Sequence, residues 1–416
     1  MRKNIWIFNH YATAMFYDCG DRHYWFAENL LAKKYNPTIF CASTVHNSVE
    51  VIDTGSELFC EKVINDIPFV FVKTSVYEGN SVGRIKNVLI FYKNLIRVAK
   101  LYANLKGKPD VILASSGHPL TAVAGIRIAK VLKIPCVVEI RDLQPESAIS
   151  YGFLKEKSWL AKILYLGEKW IYKKADRLIF TMEGGKKYIE EKKWSKEIDL
   201  NKIYHINNGL DINQFDSNAE RFELEDVDLS RKNVFKVVYT GSVRRANNLN
   251  LLLEAAKYIS KKGFSNIEFL IYGEGNERES LEKKCEEENI NNVVFKGKIG
   301  KKFIPYILVN SDLNILNYTY HSTWKYGGSQ RKFFEYLASG KPVLSTVTMG
   351  YDLITKFNVG ISLCEQTAEA IGEAVIGFSQ MDNQRYCEMG ENARKLAHEY
   401  DFQILTAKLI ELMEGL

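Results

Sequence analysis

The chain has 416 residues, of which 46% are hydrophobic and 25% charged, with a formal net charge of +6. That length suits about two domains with sizeable cores, and no stretch reaches the roughly 18 uninterrupted apolar residues of a membrane span. Cysteines at 19, 41, 60, 136, 285, 364 and 387 form no C-x-x-C pair, which argues against a disulfide framework or a zinc site and for a reduced cytoplasm.

The opening MRKNIWIFNHYA is basic then apolar, but its apolar run is too short for a secretory signal. It reads as a buried strand at Ile5–Phe8. Next come a helix at Arg22–Lys34, strands at Thr38–Ala42, Val111–Ala114, Cys136–Glu139, Leu178–Thr181 and Ile203–Ile206, and helices at Leu120–Leu132 and Leu160–Ala175. Short β-branched runs separated by helices predict a parallel sheet wrapped on both faces. The pattern restarts at Phe235–Tyr239 and continues through a helix at Leu249–Lys262, a strand at Glu268–Tyr272 and a helix at Glu277–Glu288. Strands at Asn292–Phe295 and Leu313–Leu316, a helix from Gln330 and a strand at Val343–Thr346 complete it. The fold class is α/β with two Rossmann-like domains, residues 1–212 and 213–399. The polar stretch Asp211–Lys232 is the expected linker, and the last helix, within about 400–416, is able to pack back onto the first domain. Two such sheets facing one another would take a ligand in the cleft between their strand ends.

Charge is uneven. Up to residue 212 there are 31 Lys+Arg against 22 Asp+Glu, and beyond it 25 against 28. The segment Arg84–Lys108 has seven basic residues and no acid. Lys86, Lys93, Arg97 and Lys100 recur at helical spacing, with Leu89, Ile96 and Val98 expected on other faces. A basic amphipathic helix suits an anionic membrane surface, and Trp159–Lys174, with four aromatic residues among lysines, extends the patch. No nucleic-acid module is recognisable.

Four segments point to chemistry. Tyr239–Asn247, YTGSVRRAN, follows a strand and precedes a helix. Gly241 and Ser242 there permit backbone approach, while Arg244 and Arg245 add positive charge suited to a diphosphate. Ile271–Arg278 carries Gly273 and Gly275 in a tight turn able to approach a flat base. Ser329–Val343, SQRKFFEYLASGKPV, sets Lys332 and Glu335 one helical turn apart after a polar loop, pairing a cation for a charged ligand end with an acceptor for a diol. In the first half, three strand ends carry His10, Gly20, His118, Arg141 and Asp142 toward one rim.

In order and spacing these segments resemble the family-4 glycosyltransferases with the GT-B architecture. NNGLDINQF (Asn207–Phe215), VVYTGSVRRANNLNLLLEAA, LIYGEGNERESLEKKCEEENINNVVFKGKI and SQRKFFEYLASGKPVL look like the family's hinge, phosphate loop, base-side segment and ribose segment. HYATAMFYDCGDRHYWFAENLLAKKY, SSGHPLTAVAGIRIAKVLKIPCVVEIRDLQPE and GEKWIYKKADRLIF look like bacterial enzymes that build O-antigen or capsule repeat units. The resemblance implies a retaining transfer, without a metal or cofactor, from a nucleoside-diphosphate sugar, a UDP-sugar first among the donors. The acceptor would be a glycan or polyprenyl-diphosphate-linked glycan in surface polysaccharide synthesis, and the protein would be cytoplasmic and peripheral to the inner face of the cell membrane.

By the same resemblance, Glu335 accepts the ribose hydroxyls, and Ser329 and Lys332 sit by the diphosphate or donor sugar. Arg244 or Arg245 neutralises the leaving group. Gly273, Gly275 and the loop around Lys296–Lys298 flank the base, Gly20 admits the phosphates, and His118 and Asp142 face the reacting sugar and acceptor. The position eight before Glu335, a carboxylate in many members, is Gly327 here, and Asn247 stands near the place of the usual lysine. A sugar-nucleotide epimerase or phosphorylase on the same fold and a non-catalytic sugar-nucleotide-binding subunit are the alternatives. A nicotinamide oxidoreductase is disfavoured because no complete G-x-G-x-x-G opens the first domain.

Overall fold

The computed structural model describes residues 3–46, 48, 50–77 and 82–416. It divides into two units, Met1–Asn207 with Phe402–Leu416, and Asn208–Asp401.

The first unit holds an eight-stranded sheet formed by β1 (Asn4–Phe8), β2 (Asn36–Ala42), β3 (Phe59–Ile64), β4 (Ile67–Val72), β5 (Val111–Ser115), β6 (Cys136–Ile140), β7 (Arg177–Phe180) and β8 (Ile203–His205), in the order β3-β4-β2-β1-β5-β6-β7-β8. All pairings are parallel except β3 with β4. The central strands are buried on both faces, which is why they read as continuous apolar runs. The β3–β4 hairpin is absent from the sequence-based expectation. Its two-residue turn, Asn65-Asp66, has positive φ at both positions, the geometry that matches hairpin twist and that Asn and Asp tolerate. The helix Phe402–Glu414 packs on the helix Arg22–Ala32, with the Phe402 ring 4.9 Å from Trp25 and 5.0 Å from Phe26.

The second unit holds a six-stranded parallel sheet of β9 (Phe235–Thr240), β10 (Ile267–Tyr272), β11 (Val293–Gly297), β12 (Leu313–Leu316), β13 (Val343–Ser345) and β14 (Gly360–Ser362), ordered β11-β10-β9-β12-β13-β14. The expected linker Asp211–Lys232 is instead part of this unit. Asp211 caps the helix Ile212–Arg221 by accepting from the Gln214 N–H at 2.7 Å, and Ile212, Phe215 and Leu229 are buried in the core. Lys296 clamps the strand-ward end of the segment through Asp226 at 2.6 Å and Asp228 at 2.5 Å. The unit begins at Asn208, not 213, because Leu210 N–H donates to the Tyr400 carbonyl and Ile212 N–H to Asp401.

In each sheet the strand order reverses once, at β1/β5 and at β9/β12. The carboxyl ends of strands at such a point are where open α/β sheets bind ligands. Among the described residues no helix is long and apolar enough to cross a membrane. The basic helix spans Val82–Lys106. Leu89 shares its exposed face with Lys86, Lys93, Arg97 and Lys100, whereas Val98 is buried, so the expected separation of apolar and basic faces is incomplete.

Candidate active site

In the second unit the turn after β9 is built on the turn after β10. Gly241 N–H donates to the Tyr272 carbonyl, Val243 N–H to Glu274, and Gly273 N–H to Gly297, all at 2.8–2.9 Å. A Cβ at Gly273 would lie 1.7 Å from the Gly241 carbonyl oxygen, and one at Gly275 would lie 2.0 Å from that of Val243. These two glycines are therefore required by backbone packing between adjacent turns, not by approach to a flat ligand alone. Gly241 itself has φ +143°, a conformation that favours glycine. Asn247, at the place of an expected cation, latches the turn by donating to the Ser242 carbonyl at 2.7 Å and hydroxyl at 3.0 Å.

The helix Arg331–Ala338 is fixed to the end of β9 by Tyr336, whose hydroxyl accepts from the Thr240 N–H at 3.0 Å. This holds Lys332 and Glu335 beside Gly241. Together with Thr240, Ser242, Gly273, Lys298, Lys301 and Arg331 they line a cavity of about 570 Å³. Lys332 and Glu335 have separate partners, as their expected roles at two ends of a ligand require. Glu335 accepts from Arg331 Nε at 3.1 Å, and Lys332 Nζ lies 3.3 Å from the Tyr239 hydroxyl and 4.3 and 4.5 Å from the ring centroids of Tyr239 and Tyr318. Enclosure between those rings lowers its pKa to about 7 by desolvation, against the pull of Glu335. A cation held this way is short of counter-charge and suited to an anionic ligand.

Six of the residues expected at the donor thus meet here: Gly241, Ser242, Gly273, Lys298, Lys332 and Glu335. Four do not line the cavity. Arg244 and Arg245 are exposed outside its wall, Gly275 packs against Val243, and Ser329 spends its hydroxyl accepting from Asn208 N–H at 3.1 Å. Lys301 and Arg331, missed in the sequence, supply charge in their place. Arg331 sits next to Lys332 in the same helical turn, so the run Arg331-Lys332 was the available signal.

In the first unit, His10 and His118 end up buried at the β1/β5 reversal, with ring centroids 4.7 Å apart. His10 Nε2 is 2.7 Å from Asn87 Oδ1, and His118 Nε2 is 3.3 Å from Thr121 Oγ1. Burial drives the His10 pKa down to about 3 and holds His118 well below its ordinary value, so both are neutral near pH 7. Among the described residues, the buried Nδ1 atoms of both rings have no hydrogen-bond partner. Gly20 is buried between two non-glycine residues of positive φ, Cys19 and Asp21, and Asp21 caps the following helix by accepting from Arg22 N–H at 2.7 Å. Asp142 is open to solvent yet crowded by protein, and desolvation raises its carboxyl pKa against the pull of Arg141.

The largest surprise is Glu139 at the end of β6. It is fully buried and receives Arg22 Nε at 2.7 Å and the Ser115 hydroxyl at 3.0 Å, with His23 Nε2 at 3.2 Å. Arg22 also donates to the carbonyls of Ile206 and Asn207 at 2.9 and 2.6 Å. Despite desolvation, the Arg22 and His23 partners hold the Glu139 carboxyl well below its usual range. This hub ties the helix Arg22–Ala32 to the ends of β5, β6 and β8.

Residues 25–214 match the model described as Glycosyltransferase Family 4, and residues 220–396 the model described as Glycosyl transferases group 1, so that the two matches together span most of the chain. Each half of the chain thus resembles a glycosyltransferase domain, on a fold of the GT-B type. The chain is 26% identical over 233 residues to an uncharacterized glycosyltransferase of Methanocaldococcus jannaschii, and the match covers 56% of each chain, so that it spans about half the length of that relative. Its fold is similar to that of sucrose-phosphate synthase from Thermosynechococcus elongatus, with a TM-score of 0.73 at 16% identity over 100% of this chain and 99% of the other. It is likewise similar to α,α-trehalose 6-phosphate synthase from Burkholderia multivorans, with a TM-score of 0.74 at 10% identity over 100% and 99%. Anabaena HepE, solved in complex with UDP-glucose, gives a TM-score of 0.67 at 13% identity over the whole of both chains.

Proposed function

We propose that this chain is a glycosyltransferase that moves a sugar, with retention of anomeric configuration and without a metal, from a nucleoside-diphosphate sugar to a lipid-diphosphate-linked glycan in the synthesis of a surface polysaccharide such as O-antigen or capsule. The observation that carries the donor half is the 570 Å³ cavity of the second unit, where Lys332 lies in a tyrosine cage beside Gly241, with Glu335 one turn further along the same helix. Lys332, Arg331 and Lys298 neutralise the diphosphate as it leaves, a role that preorganised cations fill without reorganisation. Glu335 accepts the ribose hydroxyls. The complexes of Anabaena HepE with UDP and with UDP-glucose favour uridine as the base.

The acceptor hydroxyl attacks from the face the diphosphate leaves, and a leaving phosphate oxygen takes its proton. His118, neutral by burial, orients the reacting sugar by hydrogen bonding and carries no charge into the step. The first unit meets the inner membrane surface through Val82–Lys106, whose Val82, Ile85 and Leu105 stand exposed among Lys86, Lys93, Arg97 and Lys100. A panel of nucleotide sugars tested for heat stabilisation is expected to single out one donor, since a ligand bound only by the folded state raises the unfolding temperature. Anomeric analysis of the product then tests retention. Absence of stabilisation by any nucleotide sugar contradicts the donor assignment, and an inverted product contradicts the retaining step.

A further inference from the structure

The first unit contains a second cavity, of about 370 Å³, between the helices Pro119–Leu132 and Trp159–Lys174. That volume falls within the range of about 300–1,000 Å³ typical of small-ligand pockets. Its walls are apolar, with Leu120 and Val123 from one helix and Ile163, Leu164, Trp170 and Ile171 from the other. Two acids line it: Asp142, exposed at its edge beside Ser116 and Gln144, and the buried Glu168, which accepts from the Tyr172 and Tyr188 hydroxyls at 2.7 and 2.8 Å and whose pKa desolvation raises to about 8. The floor at Glu168 is therefore uncharged near pH 7, and the Asp142 carboxyl stands at the rim.

Two features indicate that the cavity is kept open. Gly167 lies in its wall, in the middle of a 16-residue helix. A glycine weakens a helix interior, yet this one has no positive φ, and a Cβ placed on it meets nothing within 4 Å. Neither packing nor backbone geometry requires it. The cavity also continues into solvent over apolar side chains, since Ile163, Leu164 and Trp170 line it while remaining exposed, and Trp159 and Leu166 stand exposed on the same helix. Lys155, Lys157 and Lys162 are exposed around the start of that helix, against one exposed acid, Glu156.

We propose that this pocket takes a single aliphatic chain, acyl or isoprenoid, of an amphiphilic acceptor whose anionic head lies by Lys155, Lys157 and Lys162. A half-open groove between two helices fits one chain and not the flat surface of a bilayer. The proposal rests on the glycosyltransferase reading only for the word acceptor; chain binding is testable without turnover.

The test compares inorganic phosphate, hexyl phosphate and dodecyl phosphate, each kept monomeric, by calorimetry on the full chain and on Gly167→Leu, with UDP as the probe of the other unit. Leucine at 167 fills the opening and strengthens the helix, so the variant is expected to unfold at or above the native temperature. For the native chain, affinity should rise about fourfold per methylene until the pocket is full, giving dodecyl phosphate at least a tenfold advantage over hexyl phosphate. Gly167→Leu should lose that advantage while binding UDP as the native chain does. Equal chain-length dependence in both proteins, or none in either, overturns the proposal. If UDP binds neither protein, the donor reading fails while the chain-length result stands independently.

Discussion

The cavity of the second unit is lined by Lys298, Lys301, Arg331 and Lys332 with Glu335, whereas that of the first unit is walled by Leu120, Val123, Ile163 and Leu164. Both units are parallel α/β sheets with one reversal of strand order, so the difference lies in what fills the space beside the strand ends. In the second unit, turn glycines let backbones meet and a tyrosine cage leaves Lys332 short of counter-charge. In the first, charge is consumed internally: Arg22 and Glu139 pair with one another, and His10 and His118 are neutralised by burial. One unit is thus prepared for an anion, and the other spends its buried charge on its own architecture.

The contrast breaks most visibly at Arg22. Replacing Arg22 with Met leaves Glu139 as an uncompensated buried carboxylate, which should cost about 3–5 kcal/mol of stability, read by denaturant unfolding. A loss below about 1 kcal/mol would mean that the hub is solvated and that Arg22 is available for ligand. Glu168 offers a pH test of the same unit. Its folded-state pKa of about 8 lies above the ordinary glutamate value, so the folded chain keeps a proton that the unfolded chain has released. Stability should therefore fall as pH rises from about 4.5 toward 8 and level off above. The slope is about 1.4 kcal/mol for each pH unit crossed, a few kcal/mol in all. Glu168→Gln should flatten that slope; an unchanged slope would place the titration elsewhere. The smallest effect is expected at Arg245. Because it is exposed and outside the cavity wall, Arg245→Ala should change donor affinity by no more than about threefold, under about 1 kcal/mol. A larger loss would show that its side chain reaches the diphosphate and would blur the cage's role.

What could be read in the sequence follows from what is local. Buried parallel strands announce themselves as apolar runs, and the run from Ser329 to Val343 located the helix that carries Lys332 and Glu335. The Glu139 hub could not be read because its partners, Arg22 and Glu139, are 117 residues apart. Likewise, Lys332 meets Tyr239 across 93 residues, so its cage is a tertiary fact. Asp211–Lys232 misled because polar composition signals exposure only until partners such as Lys296 are in place. The β3–β4 hairpin was within reach through Asn65-Asp66, a turn pair flanked by Val63-Ile64 and Ile67. The basic helix misled in detail because a residue's face depends on the helix's exact start and docking, which placed Leu89 outward and Val98 inward.

The decisive measurement is calorimetric titration of UDP-glucose, whose diphosphate carries no titrating proton near neutrality, into the native chain and into Lys332→Met from about pH 6 to about pH 9. A bound diphosphate stabilises the charged ammonium, so native affinity should be full below about 7 and fall toward tenfold per pH unit above it. Lys332→Met should bind about 10–100-fold more weakly at the acid end, as expected for loss of a charge-assisted contact, with little dependence on pH. Native binding that is unchanged across this range, or equal affinity in the two proteins, would contradict the placement of the diphosphate at Lys332.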